Sequence, residues 1–206
     1  MKLLIVAATI GEVKPFLEQF NIKDGNFIES EKFDILITGV GMVATAFALG
    51  QHLNKKYNLA INVGIAGSFD SAIAIGEIVN VVEDVFAELG AEDHDNFITL
   101  PTLGFGENIF YSTAKTAESL RNVKGITVNK VHGNAHSIEK VAQRFAPEIE
   151  SMEGAAFLYA ANQLAIPALQ IRCISNYVEP RNRENWQIGL AVKNLNDWLI
   201  EFTAAL

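Results

Sequence analysis

Five segments, residues 2–8, 33–38, 59–65, 77–87 and 167–175, are runs dominated by Val, Ile, Leu and Ala and bounded by glycine or polar residues. A strand with one wet face alternates apolar and polar residues, so runs without that alternation predict strands buried on both faces. Such strands need helices above and below them. Residues 42–57 supply one pattern, with Val43, Phe47, Leu49 and Leu53 on a helical face and Lys55 and Lys56 in its last turn. Gly154 to Leu164 is rich in Ala and Leu, and Trp186 to Leu206 carries a stripe of Ile188, Ala191, Leu195, Trp198, Leu199 and Phe202. This alternation predicts an α/β chain with a largely parallel, helix-covered sheet, the closing helix lying on it as a lid.

At 206 residues with half its composition apolar, the chain is long enough for one domain, 1–206, with a sizeable core. No repeat, low-complexity tract or linker divides it. Residues 88–110 break any period with Gly90, Asp93, His94, Asp95, Asn96, Pro101, Gly104 and Gly106, and read as a long irregular loop. The aromatics inside it, Phe97 and Phe105, mark such a loop as functional or interfacial.

A net charge of -8, with no stretch that concentrates Lys and Arg, argues against nucleic acid as a partner. Cys173 is the single cysteine and lies inside an apolar run, so it can form neither an internal disulfide nor a multi-thiolate metal site, and a reducing cytoplasm suits it. His94 and His132 have no metal-ligand partners at helical or Cys-x-x-Cys spacing, so neither a metal nor another cofactor is expected. The opening Met1-Lys2-Leu3-Leu4-Ile5-Val6-Ala7-Ala8 is short and is followed by Glu12 and Lys14, the pattern of a first strand rather than a signal peptide. No apolar stretch reaches the roughly 18 residues that a membrane span needs.

Four short stretches carry candidate chemistry. In Ala7-Ala8-Thr9-Ile10-Gly11-Glu12 an acid follows the first strand, a place that equally suits a solvated residue of a helix's first turn. Val63-Gly64-Ile65-Ala66-Gly67-Ser68 has glycines that permit a close approach or a tight turn, but it has neither Walker nor dinucleotide-binding spacing. In Glu150-Ser151-Met152-Glu153-Gly154, Glu153 either complements a helix dipole or accepts from the vicinal hydroxyls of a ribose, with Met152 against the sugar. Gln170-Ile171-Arg172-Cys173-Ile174-Ser175-Asn176 ends in an amide at a strand's carboxyl end, where open α/β sheets bind ligands.

Taken in this order, the four stretches resemble the nucleoside phosphorylase and nucleosidase superfamily, especially its methylthioadenosine/adenosylhomocysteine nucleosidases and futalosine hydrolases. The resemblance covers most of the chain. It implies a three-layer α/β/α fold around a mixed, partly closed sheet, and a homodimer or larger homo-oligomer in which a neighbour helps to close the site. It assigns Glu12 to the attacking water, Glu153 and Met152 to the ribose, Arg172 to the water side, and Gly67, Ser175 and Asn176 to the sugar and base. His136 is the equivalent of an aromatic beside the base. A serine of the nucleosidases is replaced here by Ile65.

Relatives that read adenine carry an aspartate where this chain has Asn176. An amide donates to a C6 carbonyl as an aspartate does not, so Asn176 favours a 6-oxopurine. The run Tyr177 to Trp186 looks like the futalosine hydrolases, whose substrate carries a carboxyphenyl ketone on the 5′ side of its ribose. Phe97 and Phe105 are candidates for the apolar wall of that group, and Arg181 or Arg183 for its counter-charge. The expected reaction is hydrolysis of a nucleoside. Rival readings are a purine nucleoside phosphorylase, a methylthioadenosine/adenosylhomocysteine nucleosidase, and a nucleoside-binding protein without catalysis.

Overall fold

A computed structural model describes residues 2–115, 117 and 119–205; Met1 and Leu206, the outer ends of the opening and closing stretches, lie outside the described residues. Its elements run β1 (Leu3–Ala7), α1 (Ile10–Gln19), β2 (Phe27–Ile28), β3 (Phe33–Ile37), α2 (Met42–His52), β4 (Leu59–Ser68), β5 (Ile78–Phe86), β6 (Gly90–Asp93), β7 (Asn96–Thr99) and α3 (Leu100–Leu103). They continue as β8 (Ile109–Tyr111), β9 (Arg121–Thr127), α4 (Ala135–Phe145), β10 (Ile149–Ser151), α5 (Gly154–Gln163), β11 (Ala168–Tyr177), a 3-10 turn at Arg183–Asn185, and α6 (Ile188–Ala204).

The first strand shows why its residues do not alternate. Leu3, Ile5 and Ala7 pack with Val13, Phe16 and Leu17 of α1 and Ala191, Leu195 and Leu199 of α6. Leu4 and Val6 pack on the other face with Leu49 of α2 and Ala155, Leu158 and Ala161 of α5. Both faces are therefore dry, and the result is helix, sheet and helix in three layers.

The sheet has nine strands, in the order β10-β9-β5-β11-β4-β1-β3-β2 with β8 on β5. It is mixed rather than largely parallel. β1, β3, β4 and β11 run parallel, but β5 is antiparallel to β11 and parallel to β9. β10 pairs with β9 and also returns to β4 through Ile149 with Ser68 and Glu150 with Gly67, which closes part of the sheet on itself. That closure brings the third candidate stretch against the second.

Two local expectations change. α2 ends at His52, not at residue 57, because buried Asp34 draws the following turn toward itself: Lys56 Nζ lies 3.0 Å from its carboxylate and Tyr57 Oη donates to it at 2.8 Å. Residues 88–110 are not one irregular loop. β6 and β7 form a hairpin about Asp93-His94-Asp95-Asn96, in which His94 takes a left-handed φ of 53°. Four-residue strands with exposed polar faces carry too little periodicity to read as strands.

Candidate active site

Glu12 is set by the start of α1. Thr9 precedes the helix, and Glu12 Oε2 accepts from the Thr9 backbone N–H at 3.0 Å and from its hydroxyl at 3.1 Å, a capping box. The other oxygen, Oε1, lies 3.3 Å from the Ile65 amide of β4, which donates to it. Ile65 thus contributes its backbone to the acid, whatever its side chain is. Gly64 leaves room for this approach, since a Cβ there would lie 2.8 Å from Glu12 Oε1. These glycines lie inside a strand and serve close approach, not a turn.

Proline at position 15 removes an N–H from the middle of α1 and disturbs the hydrogen-bond ladder there. Asn196 of α6 fills the break. Its Oδ1 accepts from Phe16 N–H at 2.9 Å, and its Nδ2 donates to the Glu12 carbonyl at 2.8 Å. Those two backbone groups would pair with each other in an uninterrupted helix.

Glu153 stands just before α5 and is buried, with Oε1 accepting from Gly41 N–H at 2.9 Å at the start of α2. Burial raises its carboxyl above the ordinary glutamate range, while the charge of Arg172 works in the opposite direction. Arg172 is 1 % exposed and does not reach the cavity. It donates to the carbonyls of Ile171 and Asn62 at 3.1 and 3.3 Å and to Asn62 Oδ1, and its charge is felt by Glu153, Glu12 and Asp84. Asp84 is fully buried, accepting from Gln170 Nε2 at 2.7 Å and Thr127 Oγ1 at 2.9 Å, and desolvation pushes its carboxyl up to about 6.

The far end of the site is formed where β11 bulges. The β4 register advances by one residue while β11 advances by two between Ile174 and Asn176, leaving Ser175 as the extra residue. Ser175 Oγ lies 2.8 Å from Asn176 Oδ1, and Asn176 Nδ2 donates to the Tyr177 carbonyl at 3.0 Å. Of the two N–H bonds of that amide, one is occupied within the chain and one remains for a ligand. Gly67 again is needed for space, because a Cβ would lie 3.1 Å from Asn176 Nδ2.

These groups line one cavity of about 390 Å³: Glu12 and Thr9, Met152 and Glu153, and Gly67, Ser175 and Asn176. Val40, Ile65, Trp186, Ile188 and Val192 give it an apolar wall. Two titratable lining residues, His132 and Glu150, were not anticipated as site residues from the sequence. They are joined by a 2.7 Å contact between Nδ1 and Oε2, and nothing in a separation of 18 residues signals that pairing.

Other candidates lie elsewhere. His136 is exposed in the first turn of α4, where its backbone N–H donates to the capping Asn134 Oδ1 at 3.0 Å. Phe97 packs edge-on against Phe145 under the Arg144 guanidinium, which is 4.0 Å from its ring. Phe105 is 76 % exposed and lines a second, apolar depression of about 760 Å³ with Met42, Val43, Leu89 and Tyr159. At the start of α2, Val40 lines the first and Met42 the second. Arg181 stacks over Trp186 at 5.1 Å, and Arg183 lies in the exposed 3-10 turn.

Comparison with known proteins gives the family. The model of the phosphorylase superfamily matches residues 2–206. The chain belongs to the phosphorylase superfamily. Within that superfamily it is 30% identical over 178 residues to futalosine hydrolase of Streptomyces coelicolor, an alignment covering 80% of this chain and 76% of the relative. It is 34% identical over 176 residues to futalosine hydrolase of Acidothermus cellulolyticus, covering 79% and 71%. Among solved structures, futalosine hydrolase of Helicobacter pylori superposes with a TM-score of 0.84 at 15% identity, over 100% of this chain and 98% of that one. At that identity the superposition speaks for the fold, and the superfamily fold is the one described above.

Proposed function

We propose that this cavity hydrolyses the N-glycosidic bond of futalosine, releasing hypoxanthine and dehypoxanthine futalosine, a step of menaquinone biosynthesis in the cytoplasm. The observation that carries the reading is that Glu12, Glu153 and Asn176 line one cavity in a chain related to futalosine hydrolases. Cleavage builds positive charge on the ribose and negative charge on the leaving base. Glu12 orients and deprotonates the attacking water, and Glu153 accepts from the ribose hydroxyls with Met152 against the sugar. Asn176 donates its remaining N–H to the 6-oxopurine. Arg172 acts from behind the cavity, as the charge that holds the acids in place. The apolar wall of Val40, Ile65, Trp186 and Ile188 suits the carboxyphenyl group, and Arg181 on Trp186 suits its carboxylate.

Phosphorolysis is disfavoured by charge. The described lining contains Glu12, Glu150 and Glu153 and no Lys or Arg, so it would repel phosphate. An adenine nucleoside is disfavoured because the one available donor of Asn176 suits a carbonyl at C6 rather than an amine.

The exposed apolar face of Val43, Phe47 and Phe105 supports a homo-oligomer whose neighbour completes the 5′ side of the site. Incubation with futalosine, inosine and methylthioadenosine, with and without phosphate, tests the reaction by chromatography of the free base. Hypoxanthine from futalosine without phosphate is expected; a requirement for phosphate, or no release, would overturn the reading.

A further inference from the structure

Among the groups lining the cavity, His132 and Glu150 have no part in the roles above. One carboxylate holds the histidine twice: Glu150 Oε1 accepts from His132 N–H at 2.9 Å, and Oε2 is 2.7 Å from its Nδ1. The Glu150 side chain is 4 % exposed and that of His132 12 %, so the ring is fixed by a buried acid. Among the described residues Nε2 has no hydrogen-bond partner in the protein. Such a pairing, an acid on one ring nitrogen with the other turned to a ligand, is how a histidine is oriented for proton transfer.

The register places this pair beside the base contact. Gly67 of β4 is the partner of Glu150 on β10 and of Asn176 on β11, so the two flank a single glycine at one level of the sheet. Asn176 leaves a need unmet there. An amide holds a departing 6-oxopurine by a hydrogen bond but has no proton to give it. Burial raises the Glu150 carboxyl, an effect that its His132 partner opposes, and Glu88, whose charge adds to the rise, is engaged by Asn129 at 2.9 and 2.7 Å.

We propose that His132, oriented by Glu150, is the general acid that protonates the departing purine in the hydrolysis assigned above. As the bond between C1′ and N9 breaks, its electron pair moves onto the base. The Nε2 proton passes to a ring nitrogen of that base, leaving neutral hypoxanthine and a neutral imidazole. Water loses a proton to Glu12 and its oxygen bonds to C1′. Exchange with solvent then returns a proton to His132 and removes one from Glu12, so the sum is nucleoside plus water giving base plus sugar.

The proposal rests on futalosine hydrolysis, and the experiment separates the two. Wild-type protein, His132→Gln and Glu150→Gln are compared on futalosine and on an analogue carrying a p-nitrophenoxy group in place of hypoxanthine, which departs as p-nitrophenolate and needs no proton. His132→Gln is expected to lose at least about 100-fold in kcat on futalosine, the scale of general acid catalysis, and Glu150→Gln at least about 10-fold. For both variants the loss on futalosine should exceed that on the analogue by at least about 10-fold. Circular dichroism melts check that each variant is folded. Equal losses on the two substrates, as a merely structural pair would give, or a His132→Gln enzyme that keeps its futalosine rate, would overturn the general acid. A wild-type protein that releases no base from futalosine would overturn the reaction itself.

Discussion

Asn196 Nδ2 donates to the carbonyl of Glu12 at 2.8 Å, joining the last helix to the first across 184 residues of chain. The contact exists because Pro15 disturbs the ladder of α1, and the side-chain amide bridges the Glu12 carbonyl and the Phe16 N–H. The backbone that carries the candidate water-activating acid is thereby held by the C-terminal helix. A lid helix of this kind packs the core and also sets a site residue.

Replacing Asn196 by Ala leaves the Phe16 N–H and the Glu12 carbonyl buried without that partner. The expected loss is about 1–3 kcal/mol of stability, read from denaturant unfolding. Turnover should fall more than affinity, because the displaced group is the one proposed to act on water rather than on substrate. A kcat unchanged beside a lowered stability would show that the contact serves the fold alone.

Glu12→Gln keeps the size of the side chain and removes its basicity. Binding of futalosine should persist while turnover falls by at least about 100-fold. Isothermal titration and single-turnover rates measure the two separately, and a near-wild-type rate would remove Glu12 from the chemistry.

Asn176→Asp puts a carboxylate oxygen against the Tyr177 carbonyl, where an N–H now donates at 3.0 Å. Mismatched polar contacts of this kind cost on the order of 1–3 kcal/mol. Futalosine turnover should drop by about tenfold or more, and adenine nucleosides should gain relative to it. Competition between the two substrates gives the ratio directly; an unchanged ratio would remove Asn176 from base selection.

Asp84 gives the protein a pH-dependent stability. Its carboxyl in the folded state lies at about 6, above its unfolded value, because it is buried. The folded chain therefore holds that proton more tightly, and the associated stability is present at low pH and lost as pH rises through about 6. Unfolding free energies of wild type and Asp84→Asn between about pH 4 and about pH 7 should show a steeper decline in the wild type, the variant keeping only the contribution of the buried, likewise raised Glu150 and Glu153.

Phe105→Glu places a charge on the exposed apolar face. Sedimentation should show a smaller species than wild type, with loss of futalosine turnover if a neighbour completes the site. A variant of unchanged mass would move the interface elsewhere.

Much of the fold was legible because dry strands write continuous apolar runs. The segments 2–8, 33–38, 59–65, 77–87 and 167–175 correspond to β1, β3, β4, β5 and β11, the strands that form the middle of the sheet. The hairpin of β6 and β7 was not legible, since its polar exposed residues read equally well as loop. Nor was the end of α2, which depends on a salt bridge from Lys56 to an aspartate on another strand.

Sequence alone singled out as candidates the acids and the amide at the ends of strands one, ten and eleven and the glycines of strand four, because strand ends are where apolar runs stop and side chains become free to meet a ligand. Tertiary structure decided which of them share a cavity. His136 and His132 are four residues apart, yet one is an exposed first-turn residue and the other faces the site, because β10 returns to β4 and carries Glu150 to it. Arg172 sits in the same strand as Asn176 but is sealed beneath the acids it influences, while the bulge at Ser175 changes the register before Asn176. Alternation along a strand, its interruption by a bulge, and closure by a distant strand are properties of pairing, and pairing partners are not written in local sequence.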